Sequence, residues 1–168
     1  MDDNNTKATA SLEEQIGSLL RRHGLTMATA ESCTGGGIAA RMTSVPGSSD
    51  YFRGGIVAYQ ADVKEGLLGV KPETIEHCGI VSRETATEMA RGARRALNAD
   101  CALSSTGISG PGGAEPGKPV GTIWTCFSIG DKDYTALNDT DHGSRQKNTA
   151  AGIELALQMA RDVLKDMD

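Results

Sequence analysis

Thr26-Met27-Ala28-Thr29-Ala30-Glu31-Ser32-Cys33-Thr34-Gly35-Gly36-Gly37-Ile38-Ala39-Ala40-Arg41 is the stretch whose reading decides the fold. Its first residues predict a short buried strand over Met27–Ala30, with Glu31 closing it. A hydroxyl, a thiol, a second hydroxyl and a glycine run follow, and the alanine-rich remainder predicts a helix from about Thr34 to Thr43. Strand, tight turn and helix in that order place Ser32 at a helix mouth, where unpaired N–H groups and the helix dipole favour negative charge. Glycines lacking Cβ let a ligand reach the backbone. A nucleophile here would have oxyanion donors at hand; a plain capping serine is the competing reading of Ser32.

Working outward, Ser11-Leu12-Glu13-Glu14 is a capping box, and Ile16, Leu19 and Leu20 give one apolar face before Gly24 stops that helix. Gly55–Tyr59 predicts a second strand, Ala61–Leu68 a short helix carrying Lys64, and Pro72 opens another short helix that ends at Gly79. Ser82 caps a long amphipathic helix running to Asn98. Cys101–Thr106 reads as a third strand, Val120–Ile129 and Tyr134–Asp139 as a hairpin around Gly130-Asp131-Lys132, and a final helix spans Ser144 to about Lys165. Helices interleaved with the first strands, then a hairpin, predict an α/β fold: a three-layer α/β/α sandwich on a mixed β-sheet. Residues 1–10 are expected to be a flexible tail and residues 11–168 a single domain.

Composition narrows the function. The chain has 168 residues and a formal charge of −5 with dispersed basic residues, which argues against nucleic-acid binding. Neither a membrane-length apolar run nor a signal-peptide pattern is present in the sequence. Cys33, Cys78, Cys101 and Cys126 are scattered, a pattern of reduced thiols in a cytoplasm and not of a disulfide framework or a zinc site. Neither metal nor cofactor is expected.

A serine needs a base, and a lysine serves as one when burial lowers its pKa. His23 and His77 sit at helix ends, and only His142 has a position suited to catalysis. Lys64, one turn beyond a strand ending at Tyr59, is the other candidate, against the ordinary expectation of a solvated helix-surface lysine. Cys33 competes with Ser32 as nucleophile, or is a small buried hydrophobe beneath the turn. Thr106-Gly107-Ile108-Ser109-Gly110-Pro111-Gly112-Gly113 follows a strand at the edge where α/β sheets bind ligands, without the Gly-Lys-Ser/Thr of a phosphate-binding Walker loop. Gly143-Ser144-Arg145 opens the last helix, where N–H groups and a guanidinium could hold a phosphate.

Several of these words, in order, resemble the CinA C-terminal domain family of nicotinamide-nucleotide amidases: Ala30-Glu31-Ser32-Cys33-Thr34-Gly35-Gly36, Pro46-Gly47-Ser48-Ser49, Val57-Ala58-Tyr59 with Lys64, Gly79-Ile80-Val81-Ser82, Thr106-Gly107-Ile108-Ser109-Gly110-Pro111 and Lys118-Pro119-Val120-Gly121-Thr122-Ile123-Trp124. The resemblance implies a standalone amidase domain acting on nicotinamide mononucleotide. By it, Ser32 is the nucleophile, Lys64 the base and Tyr59 an assisting residue. Arg145 is by the same resemblance needed for activity or substrate binding, and with Thr34, Gly35, Gly36, Thr106, Gly107 and Gly110 of the two glycine-rich stretches it makes up the candidate substrate-binding set. The resemblance also implies a homodimer. The chain departs from the family pattern at Gln60-Ala61-Asp62-Val63 (Ser-Asn-Glu-Ala in the family), Ser109 (alanine), Ser144 (aspartate) and Thr149 (arginine). A competing expectation is a pyridine-nucleotide-binding or competence- or DNA-damage-associated partner protein without hydrolytic activity. A third keeps the amidase chemistry on another carboxamide.

Overall fold

The computed structural model describes residues 10–167; all but one residue of the expected N-terminal tail lies outside that range. The elements are α1 (Leu12–His23), β1 (Met27–Glu31), α2 (Gly37–Thr43), a 3-10 turn (Ser48–Asp50), β2 (Phe52–Val57), α3 (Ala61–Leu68), α4 (Pro72–Cys78), α5 (Arg83–Leu97), β3 (Cys101–Gly107), β4 (Ile123–Ile129), β5 (Lys132–Asn138) and α6 (Arg145–Lys165). The five strands form a sheet in the order β2-β1-β3-β4-β5. β1 runs parallel to both β2 and β3, whereas β3–β4 and β4–β5 are antiparallel. The chain leaves β1 toward one side for β2 and returns to its other side for β3. The crevice beyond the carboxyl ends of β1 and β3 is therefore a topological switch point.

Alternation along the central strands sorts the two faces. Met27, Leu103 and Phe127 point toward α1 and α6, where they join Ile16, Leu20, Ile38, Leu157 and Leu164 in the larger core. Ala28, Ala30 and Ala102 point the other way, against Met89 and Ala93 of α5 and Leu68 of α3. Period-two alternation on β1 and β3 thus gives each helical layer its own apolar face. Small residues on the second face let α5 lie close to the sheet and to α3. A Cβ built on Gly92 would stand 2.0 Å from the carbonyl oxygen of Leu68. Gly92→Ala is therefore expected to lower stability by about 1–3 kcal/mol, read as a drop in the urea midpoint. An unchanged midpoint would show that α3 moves aside freely.

Local signals set most boundaries. Ser11 and Glu14 form the capping box, and Gly24, in the left-handed region, ends α1. Ser82 and Ser144 accept from the N–H groups of Thr85 and Lys147 at the starts of α5 and α6. β5 begins at Lys132, two residues before its expected start, and three boundaries differ by three residues. β2 lies three residues earlier than predicted at its start and leaves Ala58 and Tyr59 free to turn over the sheet edge. β4 begins at Ile123 because Thr122 turns back onto the Pro119 carbonyl, with Gly121 at φ +96°. The helix after the glycine run begins at Gly37, three residues later than expected.

Candidate active site

Ser32 follows the last residue of β1 and is not a helix cap; Gly36 holds that position on α2, in the left-handed region and without a side-chain cap. What pins Ser32 is its main chain. Its N–H donates to Ser105 O at 3.0 Å, and its own carbonyl accepts from Gly35 N–H at 3.0 Å. The side chain stays near the surface, with the residue 8 % exposed.

Lys64 occupies the middle of α3 and is fully buried. Three acceptors surround its amine: Ser32 Oγ at 2.9 Å, Ala58 O at 2.7 Å and Tyr59 O at 3.4 Å. The two carbonyls are available because the chain leaves β2 at Val57 and turns before α3. Ala58 N–H remains fastened to Glu31 O at 2.8 Å. Burial pulls the amine down from an ordinary lysine value of 10.5 to about 8, against a smaller opposing effect of the Cys33 thiol. As an ammonium, Lys64 satisfies all three acceptors. As a neutral amine it keeps both carbonyls and turns its lone pair to the Ser32 hydroxyl. The solvated lysine expected of a helix surface is not what folds here.

Cys33 lies beside Ser32, and burial pushes its thiol up to about 11, so it is protonated near neutral pH. Cys33→Ala is accordingly expected to keep activity within about threefold of the parent; loss matching that of Ser32→Ala would move the nucleophile to sulfur.

The cleft above Ser32 has a volume of about 270 Å³, and its walls include Tyr59, Thr106, Gly107, Gly110, Glu115 and Arg145. Arg145 donates to the Tyr59 hydroxyl at 2.7 Å and to Gly110 O at 2.8 Å, joining α6, the loop after β3 and the β2–α3 turn. Tyr59 thus meets the amine through its carbonyl and Arg145 through its ring hydroxyl. Thr106 lines the cleft but gives its hydroxyl to Ile80 O at 2.8 Å.

Three expected binding residues lie elsewhere. Thr34 turns inward, its hydroxyl on Glu31 at 2.6 Å and within 2.6 Å of Ser105 Oγ. Gly35 and Gly36, at φ +60° and +94°, reverse the chain behind Ser32 and do not border the cleft. The α2 N-terminus is not open to a substrate oxyanion either. Its N–H groups at Ile38 and Ala39 donate to the Glu31 carboxylate at 2.9 and 2.8 Å. A serine-centred reading misses this, although an acidic residue just ahead of a glycine run into a helix is the signal for it.

Of the histidines, His142 bonds Asn138 and His77 the carbonyl of Glu73, both away from the cleft, while His23 meets Leu164 O. Asn148, fully buried, ties α6 to the Ser109 carbonyl at 3.0 Å. Two departures from the family pattern face one another, Thr149 Oγ1 donating to Ser109 Oγ at 3.2 Å. Among the described residues, no three His, Cys, Asp or Glu side chains converge to hold a metal ion.

Fold and site together define a mixed-sheet α/β protein with a serine–lysine pair at the switch point of its sheet. The chain belongs to the CinA C-terminal domain family, whose model matches residues 9–164. It is 52% identical over 128 residues to a CinA-like protein of Leptospira borgpetersenii, covering 76% of this chain and 30% of that one. A putative competence-damage inducible protein of Halothermothrix orenii is 49% identical over 138 residues, or 82% of this chain and 33% of its own. The chain thus spans about a third of the length of these curated relatives. Among solved structures, a CinA superfamily protein from Klebsiella pneumoniae aligns with a TM-score of 0.88 at 28% identity, covering 92% of this chain and 96% of that one. A competence/damage inducible protein from Agrobacterium tumefaciens aligns at 0.81 and 36% identity, covering 94% and 99%.

Proposed function

We propose that the chain is a serine amidase that hydrolyses the carboxamide of nicotinamide mononucleotide to the nicotinate mononucleotide and ammonia. The observation that carries this reading is the 2.9 Å bond between a fully buried amine and a serine hydroxyl at the floor of an open cleft. Neutral Lys64 takes the proton of Ser32 as Oγ attacks the carboxamide carbon. The Ser32 N–H is engaged by Ser105 O, and the first free N–H groups of α2 by Glu31. The Cys33 N–H, on the cleft wall beside Ser32, has no carbonyl or carboxylate acceptor among the described residues, and it receives the developing oxyanion. The Lys64 ammonium then protonates the departing nitrogen, and ammonia leaves an acyl-Ser32 ester. Lys64, neutral again, draws a proton from water as it attacks the ester carbonyl, and returns that proton to Ser32 Oγ as the acyl–oxygen bond breaks and the acid leaves.

The phosphate goes to the start of α6. Two guanidinium hydrogens of Arg145 are engaged by Tyr59 and Gly110, which orients the remaining ones. The first turn of the 21-residue α6 carries no acidic side chain to repel an anion. Arg145→Lys is expected to raise KM about tenfold or more with a smaller change in kcat, because a bidentate fork becomes a single point charge. An unchanged KM would place the phosphate elsewhere.

Ammonia release from nicotinamide mononucleotide by the purified chain tests the activity. Turnover is expected, and a phosphate-free nicotinamide riboside should react far more slowly. Calorimetric binding of the mononucleotide without ammonia release would favour a nucleotide-binding partner protein. Equal rates on both compounds would point to a different carboxamide.

A further inference from the structure

The carboxylate behind the nucleophile enters none of the steps above. Glu31 ends β1 with 1 % exposure, and both of its oxygens are engaged. Oε2 accepts from the Thr34 hydroxyl at 2.6 Å and from Ile38 N–H at 2.9 Å, while Oε1 accepts from Ala39 N–H at 2.8 Å. Because Thr34 gives its one hydroxyl hydrogen to Glu31, the 2.6 Å contact between Thr34 Oγ1 and Ser105 Oγ has Ser105 as donor. Ser105 also holds Ser32 by its carbonyl. A closed circuit therefore runs from Glu31 through Thr34 and Ser105 to the main chain of Ser32.

The same residue reaches the base. Glu31 O accepts from Ala58 N–H, and Ala58 O accepts from Lys64 Nζ at 2.7 Å. We propose that Glu31 is a positioning residue: its buried carboxylate joins the start of α2 to Thr34, and through Thr34 to Ser105, which fixes the Ser32 turn, while its main-chain carbonyl holds the Ala58 segment that carries the Lys64 amine.

A helix that only needed capping would carry Ser, Thr, Asp or Asn at the N-cap, exposed and at small desolvation cost. Here that position is Gly36, with no side chain to offer, and the cap arrives from the residue directly before the nucleophile. Burying a carboxylate is expensive unless its lone pairs are met. Three donors meet them, all from the segment that follows Ser32. Misplacing a nucleophile by about 1 Å costs on the order of a hundredfold in rate, so a shift passed through this circuit is visible in the chemistry.

The inference rests on the serine–lysine reading, and the test separates the two. A fluorophosphonate probe reports Ser32 reactivity whatever the natural substrate. Ser32 Oγ bonds to phosphorus, fluoride leaves, and the serine proton passes to the Lys64 amine. Glu31→Gln is expected to lower the maximal labelling rate about 30-fold. Its half-saturating probe concentration should stay within about twofold, and its pH midpoint should stay near 8, since Lys64 is untouched. Thr34→Val, which cuts the circuit but leaves the carboxylate on the helix, should lower that rate about tenfold. A folded Glu31→Gln with a lower melting temperature but the parent labelling rate would reduce Glu31 to a helix cap and overturn the inference. Should Glu31→Gln fail to fold, Thr34→Val labelled at the parent rate overturns it equally. A parent chain that does not label would instead remove the serine–lysine pair itself.

Discussion

Lys64→Met is expected to lower the rate of ammonia release by about 10²–10⁴-fold, the usual worth of a general base, while the chain stays folded. Methionine fills the channel of the lysine stem without an amine, so Ser32 keeps its main-chain anchors and loses only the group that takes its proton. Stability should move the other way. The native amine has a pKa near 8 against 10.5 for an ordinary lysine, so the unfolded chain binds more protons than the native one between those values. Parent stability therefore rises with pH from about 8 to 10.5, and below 8 the buried ammonium remains a cost. Lys64→Met removes that slope and should melt no lower than the parent near neutral pH. A slope that persists in the variant would mean that another group carries it.

Ser32→Ala should be the more severe loss, on the order of 10⁴-fold or greater, since neither attack nor an acyl-enzyme is then possible. The residual rate would come from the cleft and the oxyanion donors alone. The structure should barely change, because apart from the bond its hydroxyl accepts from Lys64, residue 32 is anchored by its main chain: N–H to Ser105 O and carbonyl to Gly35 N–H. Ser32→Ala and Lys64→Met combined should be scarcely slower than Ser32→Ala, since the two side chains act as one unit. Losses that multiplied would separate the serine from the lysine.

Elements set by local chemistry were legible in the chain itself. α3 spans the expected Ala61–Leu68, and Ser82, Asn98 and Ser144 sit at the predicted helix ends, because caps and apolar periodicity need only a few neighbouring residues. The start of α2 was misread because its cap is the side chain of Glu31, several residues upstream in an adjoining strand. Burial of Lys64 was beyond sequence too: it requires the turn after β2 to fold Ala58 and Tyr59 over the amine. Arg145 and Tyr59 lie 86 residues apart and meet only through the closure of α6 onto the loop after β3. The proposed nicotinamide nucleotide rests on resemblance to a family, not on any local chemistry of the chain. Gln60-Ala61-Asp62-Val63, different from that family's pattern, nevertheless keeps the helical register that brings Lys64 to Ser32.

The pH dependence of fluorophosphonate labelling, with the adduct located by mass spectrometry, tests the coupling of hydroxyl and amine most directly. The predicted result is an adduct on Ser32 whose rate rises with pH and levels off above a midpoint near 8, with labelling nearly abolished in Lys64→Met. An adduct on Cys33, or a Lys64→Met chain labelled as fast as the parent, would contradict it.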